Sequence, residues 1–112
     1  RFRLDSTAGA LWWYVSGNSV MGGVCPLNTW SHCTVTGDSS GLKAYVNGVL
    51  VASNTSAFAP GAPASGNLQI GCYSPGTEPF NGKIATASMY NRALSAEEVL
   101  QNFNAYRGRY GI

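Results

Sequence analysis

Apolar and polar residues alternate along most of this chain, in short runs broken by glycine, asparagine, serine and proline. Such a period of two predicts half-buried β-strands. Phe2 and Leu4 face one way and the arginines around them the other. In Ala10–Val15, Leu11, Trp13 and Val15 share a face, and Trp12 and Tyr14 share the opposite one. A short strand is expected near Val20, between Gly17-Asn18 and Gly22-Gly23. Thr29–Thr36 reads as a strand with Cys33 and Val35 inward and Thr34 and Thr36 outward, followed by a loop over Gly37–Gly41. Leu42–Val46 and Val49–Ser53 flank Asn47-Gly48, a pair suited to a type I′ turn because both residues tolerate positive φ. That turn predicts Val46 opposite Val49, Tyr45 opposite Leu50 and Ala44 opposite Val51.

Beyond a loop of small residues from Asn54 to Asn67, Leu68–Cys72 is expected to form a short strand. Phe80–Tyr90 reads as the last strand, with Ala85, Ala87 and Met89 on one face and Thr86 and Ser88 on the other. It leads into a helix. Ser95 is the expected N-cap, Glu98 completes a capping box, and Leu94 and Val99 occupy the positions of a hydrophobic staple. Val99, Leu100, Phe103 and Tyr106 form its apolar stripe, and Gly108 is the expected stop. Seven or eight short strands and one terminal helix predict an all-β fold, an antiparallel β-sandwich closed by a short C-terminal helix.

The chain has 112 residues, enough for a single domain over 1–112. A net charge of +2 with no basic run argues against a nucleic-acid partner. No apolar run reaches the roughly 20 residues needed to span a bilayer, so no membrane partner is expected. Three cysteines cannot form a complete disulfide framework. Cys33 and Cys72 are read first as small buried strand residues, with one disulfide and a leftover thiol as the alternative. With no Cys-x-x-Cys spacing and His32 the sole histidine, a transition-metal site is not expected.

Several strings resemble the middle of a laminin G-like, concanavalin A-like jelly roll: Asn28–Thr36, Leu42–Gly48, Leu68–Gly71, Phe80–Ile84 and Tyr90–Ser95. Glu98–Gly111 resembles the ends of such domains in bacteriophage virion proteins. The family has further strands ahead of the part that resembles Arg1–Val15. The resemblance therefore implies a laminin G-like domain lacking its N-terminal strands, either absent from the sequence or supplied by a neighbouring subunit. Many members carry an acidic pair after the isoleucine matching Ile84; here Ala85 and Thr86 stand there.

Glycoside hydrolases on related jelly rolls need two carboxylates flanking the scissile bond, one to protonate the leaving oxygen and one to attack or activate water. The acids here are Asp5, Asp38, Glu78, Glu97 and Glu98, and none forms an alternating pair on a strand. His32 is expected to pack beside Trp30, not to act as a base. Calcium, which the family often binds through loop oxygens, could draw on Asp38 with Asn54 or Glu78 with Asn81; solvated turn residues are the favoured reading, so no cofactor is expected. Carbohydrate is the remaining ligand class. Trp12, Tyr14 and Tyr73 are the candidate stacking residues; for Trp12 and Tyr14 packing beneath further strands is the favoured reading, and Tyr73, beside a Pro-Gly loop, is the better candidate for exposure. The Asn54-Thr55-Ser56 sequon would matter only in a eukaryotic secretory protein.

The expected function is a non-catalytic recognition or assembly module of a phage virion surface protein, in a fibre, tail or capsid decoration. Its expected partners are glycans or neighbouring virion subunits, in a homo-oligomer or larger assembly at the virion surface or otherwise extracellular. The alternative is a carbohydrate-binding module of a secreted bacterial enzyme.

Overall fold

The computed structural model describes residues 2–4, 9–15, 18–58, 69–72 and 76–112. Among them the chain forms six strands, β1 (Phe2–Leu4), β2 (Ala10–Val15), β3 (Asn18–Val24), β4 (Cys33–Asp38), β5 (Gly41–Val46) and β6 (Val49–Asn54), and one helix, α1 (Ala96–Tyr110). All pairings are antiparallel, and they build two three-stranded sheets, β1-β2-β3 and β4-β5-β6.

The first sheet lies over the second through β3, which crosses β5 and β6. Between them sits the main core: Leu11, Val20, Cys25, Leu42, Ala44 and Val46, flanked by Trp13, Val35, Val51 and Phe58. The layers approach closely at Gly22 and Gly23. A methyl on Gly22 would lie 2.7 Å from Ala52 Cβ, and one on Gly23 2.7 Å from Val51 Cγ2. No side chain fits there without parting the sheets.

The other face of β4-β5-β6 is covered by α1. Tyr45, Leu94 and Val99 form a second buried cluster there, and Phe103, one turn on, is buried against the Asn47-Gly48 turn and His32. Leu94 and Val99 thus meet as the staple requires. The capping box is complete: Glu98 N donates to Ser95 Oγ at 3.2 Å, and Ser95 N to Glu98 Oε2 at 2.9 Å. The central strand β5 is consequently buried on both faces, as its run Leu42, Ala44, Tyr45 and Val46 shows.

Several details depart from the sequence-based expectation. β3 is a seven-residue strand, not a short one, because Gly22 and Gly23 lie within it. β4 begins at Cys33 and extends to Asp38, so Gly37–Gly41 is no loop; a two-residue turn at Ser39-Ser40 joins β4 to β5, with Ser40 N donating to Asp38 Oδ1 at 2.7 Å. The Asn47-Gly48 turn has positive φ at both residues (51° and 78°), as type I′ demands. It sets Val46 opposite Val49 and Tyr45 opposite Leu50, but an irregularity between Ala44 and Tyr45 brings Ala44 opposite Ala52, not Val51.

The larger corrections fall downstream. Residues 69–72 are not a strand, and Leu68 lies outside the described residues. Lys83–Tyr90 is not a strand either: it runs exposed, with no ladder partner among the described residues. Alternation specifies only a willingness to pair, and Ala85 and Ala87 offer little apolar area to draw the segment onto a sheet. Helix α1 passes through Gly108, where nothing lies within 4 Å, and ends at Gly111 in the left-handed region (φ 69°). Its buried stripe is Val99 and Phe103, with Leu100 45% exposed.

Candidate functional site

Strand alternation creates the first candidate surface. In β2, Leu11 is buried and Trp13 packs against the core, so Trp12 and Tyr14 project from the opposite face of the sheet. Their rings meet edge to face, with centroids 6.4 Å apart and an interplanar angle of 62°. This is a favoured aromatic geometry. Trp12 is half-buried and Tyr14 44% exposed. The register with β3 places Met21 opposite Trp12 and Ser19 opposite Tyr14, and Met21 is 65% exposed. An aromatic pair with an adjoining thioether makes an apolar tile on this face of the sheet. Such a tile suits the C–H face of a sugar ring, while neighbouring hydroxyl and amide groups can serve the sugar's oxygens.

Tyr73, the third candidate stacking residue, lies outside the described residues. Met21 is the member that sequence reading missed. Its alternation with buried Val20 was the available signal, and the adjoining glycine pair obscured it.

The second candidate is a polar groove of about 460 Å³ between β4-β5 and the start of α1, lined by Thr36, Asp38, Lys43, Tyr45, Arg92 and Glu98 among others. Its carboxylates are already engaged. Glu98 accepts from Arg92 through both oxygens (2.7 and 2.8 Å) and from Ser95 N, and these contacts hold its pKa down at about 2, Arg92 contributing most. Arg92 is raised in turn by the same hydrogen bonds. Asp38 accepts the Ser40 N–H. The groove thus uses its charges to fix the helix and the β4–β5 turn. Glu97 is exposed in the first turn of α1, where the helix dipole favours it, and Asp5 lies outside the described residues.

Of the oxygen groups considered for calcium, those of Asn54 are engaged within the fold. Asn54 Oδ1 accepts from Ser56 N at 2.9 Å and its Nδ2 donates to Ser19 O at 2.7 Å, tying β6 to β3. Among the described residues no three His, Cys, Asp or Glu side chains are grouped closely enough to hold a metal ion. His32 packs under the helix, its ring 6.1 Å from Phe103 and 6.3 Å from Tyr106. Burial lowers its pKa, and its Nδ1 has no hydrogen-bond partner. Beside it, Trp30 packs on Tyr110 at 5.1 Å.

Cys33 is half-buried against the main core and Cys72 lies half-buried near Gln69, whereas the most buried cysteine is Cys25, which the sequence had not singled out. No helix among the described residues is long and apolar enough to cross a membrane.

Comparison with known proteins agrees with this architecture. No curated protein matches the sequence. The fold is similar to the crystal structure of an S-layer domain-containing protein (residues 221–444) from Clostridium thermocellum, with a TM-score of 0.53 and 21% identity over 84% of this chain. The match covers 50% of that structure, so the present chain spans about half its length. Residues 1–100 match the family described as the concanavalin A-like lectin/glucanases superfamily. With two packed antiparallel sheets and that match over most of its length, the chain belongs to the laminin G-type branch of the concanavalin A-like lectin/glucanase superfamily.

Proposed function

We propose that this domain is a non-catalytic recognition module that binds glycans through the outer face of its first sheet, with Trp12 and Tyr14 as the stacking residues and Met21 beside them. The observation that carries this reading is the aromatic pair, Trp12 half-buried and Tyr14 exposed, held on a strand whose alternate residues Leu11 and Trp13 pack into the core. A rigid strand presents the rings at fixed spacing, and binding then costs little side-chain ordering. The engaged carboxylates of the polar groove support a binding role over a hydrolytic one. The likeness of Glu98–Gly111 to the ends of virion domains supports a setting in a phage fibre, tail or capsid decoration, where the partners are host glycans or neighbouring subunits. The structural neighbour, an S-layer domain-containing protein, is compatible with such an extracellular setting.

A glycan array followed by titration calorimetry on the best ligand tests the proposal. Trp12→Ala and Tyr14→Ala should each weaken binding about tenfold or more, a loss of about 1.4 kcal/mol per ring, with unchanged melting temperature. Binding that survives both substitutions would refute the aromatic face as the site. Turnover of an oligosaccharide by the chain would refute the non-catalytic role.

A further inference from the structure

Cys25 and Cys33 stand at the two ends of the connection between the sheets, and their sulfurs are 3.2 Å apart. Cys25 directly follows β3, is 5% exposed, and is anchored by its N–H to Gly9 O at 2.9 Å. Cys33 opens β4, opposite Val46 of β5. Both are thiols, as is Cys72. A disulfide bond of about 2.05 Å would need the two sulfurs to close by only about 1.1 Å.

We propose that Cys25 and Cys33 are a built-in cross-linking site: exchange with the disulfide of a small thiol converts them to an intramolecular disulfide that ties the two sheets together, while Cys72 remains a thiol. The Cys25 thiolate attacks one sulfur of the external disulfide, forming a mixed disulfide and releasing one thiolate. That thiolate takes the Cys33 proton. Cys33 then attacks the Cys25 sulfur, and the second small thiolate leaves to take up the proton Cys25 gave. Two protein thiols are oxidised and one external disulfide is reduced to two thiols.

The local chemistry suits these roles. The hydrogen bond from Cys33 brings the Cys25 thiol down to about 7 against the opposing effect of burial, and the same shared proton, with burial, pushes Cys33 up. The Ser31 side chain adds a smaller lowering to the Cys25 thiol. Burial of Cys25 means that exchange proceeds through opening of the connection at 26–32. Once closed, the bond would tether the segment that carries Trp30 and His32 against the helix.

The test is to incubate the chain with glutathione disulfide, alkylate the remaining thiols and digest with trypsin. Cys25 and Cys33 fall together in the peptide Leu4–Lys43, and Cys72 in Ala44–Lys83. The expected result is a loss of two hydrogens in Leu4–Lys43 with no label there, full labelling of Cys72, and a melting temperature about 10 °C higher, as expected for a short closed loop in a domain of this size. Dithiothreitol should reverse both. Cys72→Ser should keep the oxidation-dependent shift, and Cys33→Ala should abolish it. Incorporation of Cys72 into the bond, a linked dimer, persistence of three labelled thiols, or a cross-link without a melting shift would each overturn the proposal.

Discussion

Glu98 satisfies the cap and neutralises Arg92 at the same time, so one side chain fixes both the start of α1 and the approach to it. Half of this was legible in the sequence. The Ser95-x-x-Glu98 spacing predicts the box, but nothing in the sequence marks Arg92, six residues away across a bend, as the ion-pair partner. Glu98→Ala should therefore lower the melting temperature more than Glu97→Ala, and Ser95→Ala should cost about 1 kcal/mol by denaturant unfolding. Equal effects at 97 and 98 would refute the assignment. Because the carboxylate's pKa is depressed, to about 2 from 4.5, its contribution is complete above the unfolded value and is lost as pH falls from about 4.5 towards 2. His32 has the opposite charge but acts in the same direction. Its pKa is lowered by burial, so below about 6.5 the unfolded chain takes up the proton first and stability falls. Acid titration should show this first loss near pH 6.5, and His32→Gln should remove it.

At the level of elements, hairpins and caps were legible wherever the signal was local. Asn47-Gly48 announces its own turn, because few other residues accept positive φ at both positions. Replacing the pair with Ala-Ala imposes about 1–2 kcal/mol of left-handed strain per residue and should destabilise strongly; an unchanged unfolding midpoint would contradict the hairpin. The pairing partner of Ala44 was not legible, since an irregularity in the ladder depends on what the strand packs against. Nor was the state of Lys83–Tyr90. Its alternation is real, yet a ladder forms only where a neighbour offers matching N–H and C=O groups, and that neighbour is a tertiary fact. Gly108 misled for the complementary reason: an exposed helical glycine costs about 1 kcal/mol, too little to stop a helix whose Phe103 is buried upstream.

Across the whole molecule, the sandwich class follows from the number and spacing of strands, whereas its layering does not. That β4-β5-β6 is covered on one side by a sheet and on the other by a helix can be read only from Tyr45, Leu94 and Val99 meeting in space. Phe103→Ala should cost about 3–5 kcal/mol by denaturant unfolding, as for other large-to-small core changes. Chelation provides a separate check: EDTA should leave the melting temperature unaltered, and a large drop would point to an oxygen-ligated cation.

The bare backbone of Gly22 against Ala52 has a further consequence. Two layers this close, with only the Ala52 methyl and the Val51 side chain between them, resist sliding past one another, so the tryptophan and tyrosine on the far side ride on a firm base. A surface mounted in this way cannot mould itself to a guest. Its selectivity would rest on the guest's shape, and a Gly22→Val variant, by prying the layers apart, should blur that discrimination before it abolishes attachment.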